Sequence, residues 1–284
     1  MKRAKIDTKA IGLDVGLGFI RWLTGAENLH YGLWTGLEPT AENLGKAQIA
    51  YTDKLFGYLP EGKLSILDVG GGAGETAKKL IALGHALDIV VPSALFAERC
   101  RENAPEATVH EITFEEFGSE KRFDLVLFSE SFQYIPLDIA LDKALDHVKP
   151  GGHVLVSDCF RSDNFAPDGK TRIVGGGHLA RDFAAAIENR AVEVIAEEDV
   201  TQAVAPSIDI ERGLFNVLGD ALRLVDAELS EKKPKARWFL DRTLKLVFGK
   251  RKSARLNARL RGDDRTSAVF AHNNRYLMTL VKKI

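Results

Sequence analysis

Three glycines spaced two apart, Gly70, Gly72 and Gly74, follow the apolar run Leu64-Ser65-Ile66-Leu67-Asp68-Val69 and precede a helix-compatible stretch beginning at Glu75. A strand that turns through glycine into a helix brings backbone amides close to a ligand, because no Cβ stands in the way. Asp68 stands beside the turn, one residue before the end of the run. Gly72, Gly74 and Ala77 also satisfy the Gly-x-Gly-x-x-Gly/Ala spacing of dinucleotide-binding turns, so the spacing alone leaves a nicotinamide enzyme open.

Glu130 stands just past a second apolar run, Phe123 to Phe128. In an open α/β sheet that is the carboxyl edge, where ligands bind, and a carboxylate there can orient a substrate or take a proton. The plain alternative is a solvated loop acid. Gln133 and Tyr134 follow it, with aromatic packing an equal explanation for Tyr134. His30 and Tyr31 lie in the aromatic stretch Asn28-Leu29-His30-Tyr31-Gly32-Leu33-Trp34, where they either close over a ligand, with His30 as a base, or simply pack. His178 follows three glycines and reads as a cap or hinge. Cys100 and Cys159 stand far apart, and no histidine has metal-ligand spacing, so neither a disulfide framework, a zinc site nor any other metal is expected. Such cysteine usage fits a reducing cytoplasm.

These residues need a frame to hold them. Short apolar runs at 64–69, 86–91, 108–112, 123–128 and 153–158 alternate with helical patterns at 75–83, 93–103 and 137–147, the grammar of a parallel α/β sheet. Pro150-Gly151-Gly152 reads as a turn. A further helix is expected at 178–189, a sixth strand at 192–200 and a last strand at 275–281. Residues 1–60 look helical, with Leu44, Ala47, Tyr51 and Leu55 on one face. Glu211 to Leu229 and Arg237 to Phe248 carry apolar stripes, forming a helical insertion expected to pack on the main domain.

The Asp68 to Gly74 segment resembles the first motif of class I S-adenosylmethionine-dependent methyltransferases. Phe123-Asp124-Leu125-Val126-Leu127-Phe128 with Ser129-Glu130-Ser131-Phe132-Gln133-Tyr134-Ile135 is similar to that family's fourth-strand motif. Ala144-Leu145-Asp146-His147-Val148-Lys149-Pro150-Gly151-Gly152-His153-Val154-Leu155-Val156-Ser157-Asp158 is similar to its helix, turn and fifth strand. The aromatic stretch around Tyr31 resembles the lid of members acting on small molecules and lipids. The resemblance implies a Rossmann-like, doubly wound, seven-stranded and mostly parallel sheet. It implies S-adenosyl-L-methionine as cofactor and methyl transfer to a small hydrophobic or amphipathic, even lipid-like, acceptor.

The same resemblance places Tyr31, Asp68, Gly70, Gly72, Gly74, Val91, Pro92, Thr113, Phe114 and Ser129 around the cofactor, with Glu130, His30 and Tyr134 as catalytic candidates. The sequence departs from the family at two points. Val91 stands where an acid usually holds the ribose, leaving Asp88 either as a shifted ligand or as a strand residue facing elsewhere. Thr113 and Phe114 stand where another acid usually meets the adenine. These departures keep a non-catalytic, cofactor-binding regulator or scaffold open. The expected organisation is a lid at 1–60, a core at 61–204 and 271–284, and a cap at 205–270.

Of 284 residues, 39 are Lys or Arg and 40 are Asp or Glu, giving a formal net charge of −1. The distribution is uneven. Residues 232–261 hold twelve Lys or Arg against Asp241, so that segment carries +11 and the remainder −12. Interleaved with Trp238, Phe239, Leu240, Leu244 and Phe248, such a block suits an anionic membrane surface or a solvated cap equally, and nucleic acid less because no recognition module accompanies it. No apolar run is long enough to span a bilayer, and the stretch from Ala10 to Gly25 after Lys2, Arg3 and Lys5 reads as a surface helix, not a signal peptide.

Overall fold

The computed structural model describes residues 8–165, 175–248 and 265–284. Lys2, Arg3, Lys5 and residues 249–261 of the basic block lie outside them, as do the side chains of Leu244 and Phe248. Two helices, α1 (Thr8–Thr24) and α2 (Leu44–Phe56), precede the sheet. Then come β1 (Ser65–Val69), α3 (Glu75–Ala82), β2 (Ala86–Val90), α4 (Ala94–Asn103), β3 (Thr108–His110), β4 (Phe123–Ser129), α5 (Leu137–His147) and β5 (Val148–Arg161). The chain continues through α6 (Ala180–Glu188), β6 (Val192–Asp199), α7 (Thr201–Val204), α8 (Pro206–Lys232), α9 (Pro234–Phe248), α10 (Ser267–Asn273) and β7 (Asn274–Lys283).

The seven strands form one sheet in the order β3-β2-β1-β4-β5-β7-β6. The first five pair in parallel, while β7 runs antiparallel between β5 and β6. Helices cover both faces, so the inner strands read as nearly continuous apolar runs. Successive side chains alternate between two cores. Ile66, Leu125, Leu127 and Leu155 pack with α2, α3 and α4 on one side. Leu67, Val126, Phe128, Val154 and Val156 pack with α5 and α6 on the other. Strand β6 closes an edge, and exposed acids along it, Glu193, Glu197 and Glu198, discourage pairing with another chain.

Two expectations are corrected. The anticipated turn at Pro150-Gly151-Gly152 belongs to β5, as an irregularity in its pairing with β4: Phe123 pairs with Val148, then Leu125 with His153. Gly151, at φ 72°, permits the extra residues. Among its described residues the insertion packs on the domain at its two ends, through the first half of α8, where Ser207, Ile208 and Gly219 are buried, and through Phe270. At 27 residues α8 is about 40 Å long and outruns the face available to it. Leu222, Leu224, Trp238 and Phe239 are exposed.

Candidate active site

The glycine turn is shaped by what surrounds it. Gly70, Gly72 and Gly74 all have positive φ, at 79°, 54° and 87°. A Cβ on Gly70 would lie 2.3 Å from the Ser131 Cβ, whereas one on Gly72 would meet nothing nearer than Leu29 Cδ1 at 3.7 Å. Gly70 is therefore demanded by packing, and Gly72 is the point where the turn faces open space. Asn103 holds the turn's far side, donating to the Ala73 carbonyl and to Glu27 at 2.9 Å each.

Asp68 is 2% exposed and its Oδ2 has no hydrogen-bond partner. Burial raises its carboxyl to about 7. An orphaned buried carboxylate oxygen costs free energy unless something pairs with it. That observation fits a ligand bringing a cation or a hydrogen-bond donor to the turn, as the ammonium of S-adenosylmethionine does.

Glu130 occupies the turn after β4 with φ 58°, the one non-glycine residue at positive φ among those described. Such strain concentrates at functional positions. Its Oε1 accepts from the Tyr31 backbone N–H at 2.8 Å and from the Tyr276 hydroxyl at 2.9 Å. Burial raises its carboxyl to about 8, with the Asp158 charge adding and the Tyr31 and Tyr276 bonds opposing. Behind Tyr276 stands Tyr51, hydroxyl to hydroxyl at 2.8 Å, and Tyr51 also meets Ser157 Oγ at 2.7 Å and Ser129 Oγ at 3.2 Å. Each hydroxyl has one proton. With Glu130 ionised, Tyr276 gives its own to the carboxylate, so Tyr51 donates to Tyr276 and a serine donates to Tyr51.

Asp158, fully buried at the end of β5, accepts from the Gln133 backbone and side-chain amides at 3.1 and 2.9 Å. Burial raises it to about 7, against the donors that lower it. His30 stacks on Tyr51 at 4.5 Å between centroids and binds the Tyr31 carbonyl through Nδ1. Burial lowers its imidazole to about 4, so it is neutral.

The structure therefore brings Tyr31, Ser129, Glu130 and the glycine turn together on the carboxyl edge. Others take different surroundings. Tyr134 is largely exposed, yet desolvation raises its hydroxyl and Asp158 and Glu130 are near enough to raise it further, while the tyrosine hydrogen-bonded to Glu130 is Tyr276. Phe114 spends its ring on Phe117, Phe128 and His147, which leaves its backbone alone for a ligand. Val91 is buried in the core, Pro92 is exposed beyond it, and Thr113 bonds Glu116 Oε2 at 2.8 Å. Asp88 faces elsewhere: its two oxygens go to His110 at 2.9 Å and to Lys121. His178 Nε2 binds the Ile135 carbonyl at 2.8 Å. Among the described residues no group of three His, Cys, Asp or Glu could hold a metal.

Tyr51, Tyr276 and Asp158 were not among the sequence candidates. A signal existed for Asp158, since Ser157-Asp158 interrupts the apolar run Val154-Leu155-Val156; Tyr51 and Tyr276 sit 225 positions apart and carried none.

This sheet order with its glycine turn and carboxyl-edge acids defines a Rossmann-like methyltransferase. The chain belongs to the methyltransferase domain family, whose model matches residues 41–203. It resembles a protein described as a sarcosine dimethylglycine methyltransferase from Galdieria sulphuraria, at 17% identity and TM-score 0.68, covering 95% of this chain and 98% of that one. The cyclopropane synthase MmaA2 from Mycobacterium tuberculosis matches at 16% and 0.67, covering 95% of each chain. Geranyl diphosphate C-methyltransferase from Streptomyces coelicolor, crystallised with S-adenosyl-L-homocysteine, matches at 12% and 0.64, covering 94% and 91%. At these identities the likeness shows the shared fold. Comparison with curated proteins gives no match. The nicotinamide and non-catalytic readings give way to the family assignment.

Proposed function

We propose that the chain transfers a methyl group from S-adenosyl-L-methionine to a small hydrophobic or amphipathic acceptor. The observation that carries this reading is the unpartnered Asp68 Oδ2 beside a glycine turn that opens at Gly72. Asp68 would take the cofactor's ammonium, and Gly70, Gly72 and Gly74 would pass its methionine part. Val91, Pro92 and Thr113, with the Phe114 backbone, would border its nucleoside, and Tyr31 and Ser129 the cleft between. When bound, the cofactor supplies an electrophilic methyl carbon whose bond to sulfur breaks with the electron pair remaining on sulfur.

The chain's own work is to align the acceptor, exclude water and manage its proton. Glu130 is the group for that proton: its two hydrogen bonds converge on Oε1, leaving Oε2 to face an acceptor. A carboxylate raised to about 8 is a far better base near neutral pH than an imidazole lowered to about 4, which assigns His30 to packing against Tyr51. Tyr134 would border the mouth. The lipid-like end of the acceptor range goes with peripheral contact between an anionic membrane and the basic 232–261 segment. No described helix is long and apolar enough to cross a membrane.

The test is calorimetric titration with S-adenosylmethionine, S-adenosylhomocysteine and NAD. Micromolar binding of the first two, lost in Asp68→Ala, is expected, followed by labelled-methyl transfer into a lipid or metabolite extract. Binding of NAD alone would overturn the reading.

A further inference from the structure

Three carboxyl groups lie toward the carboxyl ends of neighbouring strands, buried Asp68 on β1, half-buried Glu130 after β4 and buried Asp158 on β5, and Asp158 is near enough to Glu130 to raise it. None of them has an ion-pair partner within 4.0 Å among the described residues, although ion pairs are plentiful elsewhere in the molecule. Nearby Glu211 is matched by Arg265 at 3.0 Å. Burial raises all three carboxyl groups because nothing compensates their charge, and a cation brought beside them would favour the ionised form.

The walls beside Glu130 are aromatic. Tyr31 lies edge-on to Phe270 and Tyr276 at 6.2 and 6.3 Å, and Tyr276 edge-on to Tyr51 at 6.1 Å. Glu130 takes both of its hydrogen bonds on Oε1, so Oε2 is left for a donor that the cleft admits, and an ammonium ion is the donor that also supplies the missing charge. From this arrangement we infer that the acceptor is an amine, bound as its ammonium ion against Glu130 Oε2, and that anionic acceptors are excluded.

The inference rests on the methyltransferase reading and narrows its substrate class. Proton balance agrees with it. The ammonium N–H bond breaks toward Glu130 Oε2, the proton passes to the carboxylate, and the bonding pair stays on nitrogen as the lone pair that methylation requires. An alkylammonium ionises near pH 10, as lysine does, whereas an alcohol resembles water, about 15.7. A carboxylate at about 8 reaches the first and not the second.

The experiment measures equilibrium binding of decylamine, decanol and decanoate, by calorimetry at pH 7.5, to the protein with and without S-adenosylhomocysteine. Decylamine is expected to bind about thirtyfold or more tightly than decanoate, as for a charge meeting a buried unpaired partner. Glu130→Gln should bring the two within about threefold, with retained S-adenosylhomocysteine binding showing that the variant is folded. Preference for decanoate or decanol, equal binding of all three, or an amine preference that survives Glu130→Gln overturns the inference. Failure to bind S-adenosylhomocysteine overturns the methyltransferase reading instead, and the amine preference is still read on the protein without it.

Discussion

The backbone N–H of Tyr31 donates to Glu130 Oε1 at 2.8 Å, joining the segment before the sheet to the turn after β4 across 99 positions of chain. That segment is itself pinned. Leu33 N–H binds the Ala47 carbonyl and Trp34 N–H the Ala203 carbonyl, at 2.8 Å each, while Ser207 Oγ accepts from Gly32 N–H and Trp34 Nε1. The Tyr31 segment therefore reports on the charge of Glu130: an ionised carboxylate holds the Tyr31 amide more strongly than a neutral one, so proton acceptance weakens that hold.

Replacing Tyr276 by Phe tests the other bond to the same oxygen. Tyr276 lowers the Glu130 carboxyl by donating to its charged form, so its loss raises that group further above about 8. The rise of kcat/KM with pH is expected to move to higher pH. Tyr51 keeps its serine partners, so the folding cost should be about 1–2 kcal/mol. An unmoved profile would show that Tyr276 does not govern Glu130.

Alanine at two glycines should separate packing from ligand approach. At Gly70, φ is 79° and the new Cβ would lie 2.3 Å from Ser131 Cβ, with Ser131 anchored to the Val69 carbonyl. Thermal denaturation should reveal a loss of about 3 kcal/mol or more. At Gly72 the space is open and φ is 54°, so the cost should be about 1 kcal/mol. Gly72→Ala should nonetheless weaken S-adenosylmethionine at least tenfold, about 1.4 kcal/mol, by calorimetry. Equal stability losses would contradict the division.

Sequence reached the fold because its signals are local. Glycine spacing, apolar run length and the Asp68 position define β1, its turn and α3 without reference to distant residues. The site was half legible for the same reason: Asp68, Glu130 and Tyr31 each sit next to a recognisable element. What escaped depends on pairing. Tyr276 reaches Glu130 only because β7 runs antiparallel beside β5, setting Cys159 opposite Tyr276. Nor could periodicity show that α8 extends past its support, since its stripe of Leu218, Leu222 and Val225 looks the same buried or exposed.

That exposed hairpin makes membrane contact testable. Arg242 lies over the Trp238 ring at 4.7 Å, and Trp238 and Phe239 are 59% and 68% exposed. Co-sedimentation with phosphatidylglycerol vesicles is expected at low ionic strength. It should fall when both aromatic residues are replaced by Ala, and fall again when salt shortens the screening length to about 3 Å near 1 M. Binding unaffected by the double substitution would assign the contact elsewhere.

The last prediction sets stability against activity at Glu130. Its carboxyl is raised to about 8 in the folded protein, above the usual value of about 4.3, so the native state holds this proton more tightly than the unfolded chain does. The stability this confers is lost progressively as pH rises through that window, because ionising the native state opposes burial. Gln at this position keeps an oxygen for the Tyr31 amide and cannot ionise. Scanning calorimetry of the protein without ligands should therefore find Glu130→Gln close to the parent at pH 5 and increasingly more stable toward pH 8. Methyl transfer in the same variant should fall about 10²–10⁴-fold, the contribution of a positioned general base. A Tm difference independent of pH would contradict the buried carboxylate, and activity within tenfold of the parent would remove Glu130 from the chemistry.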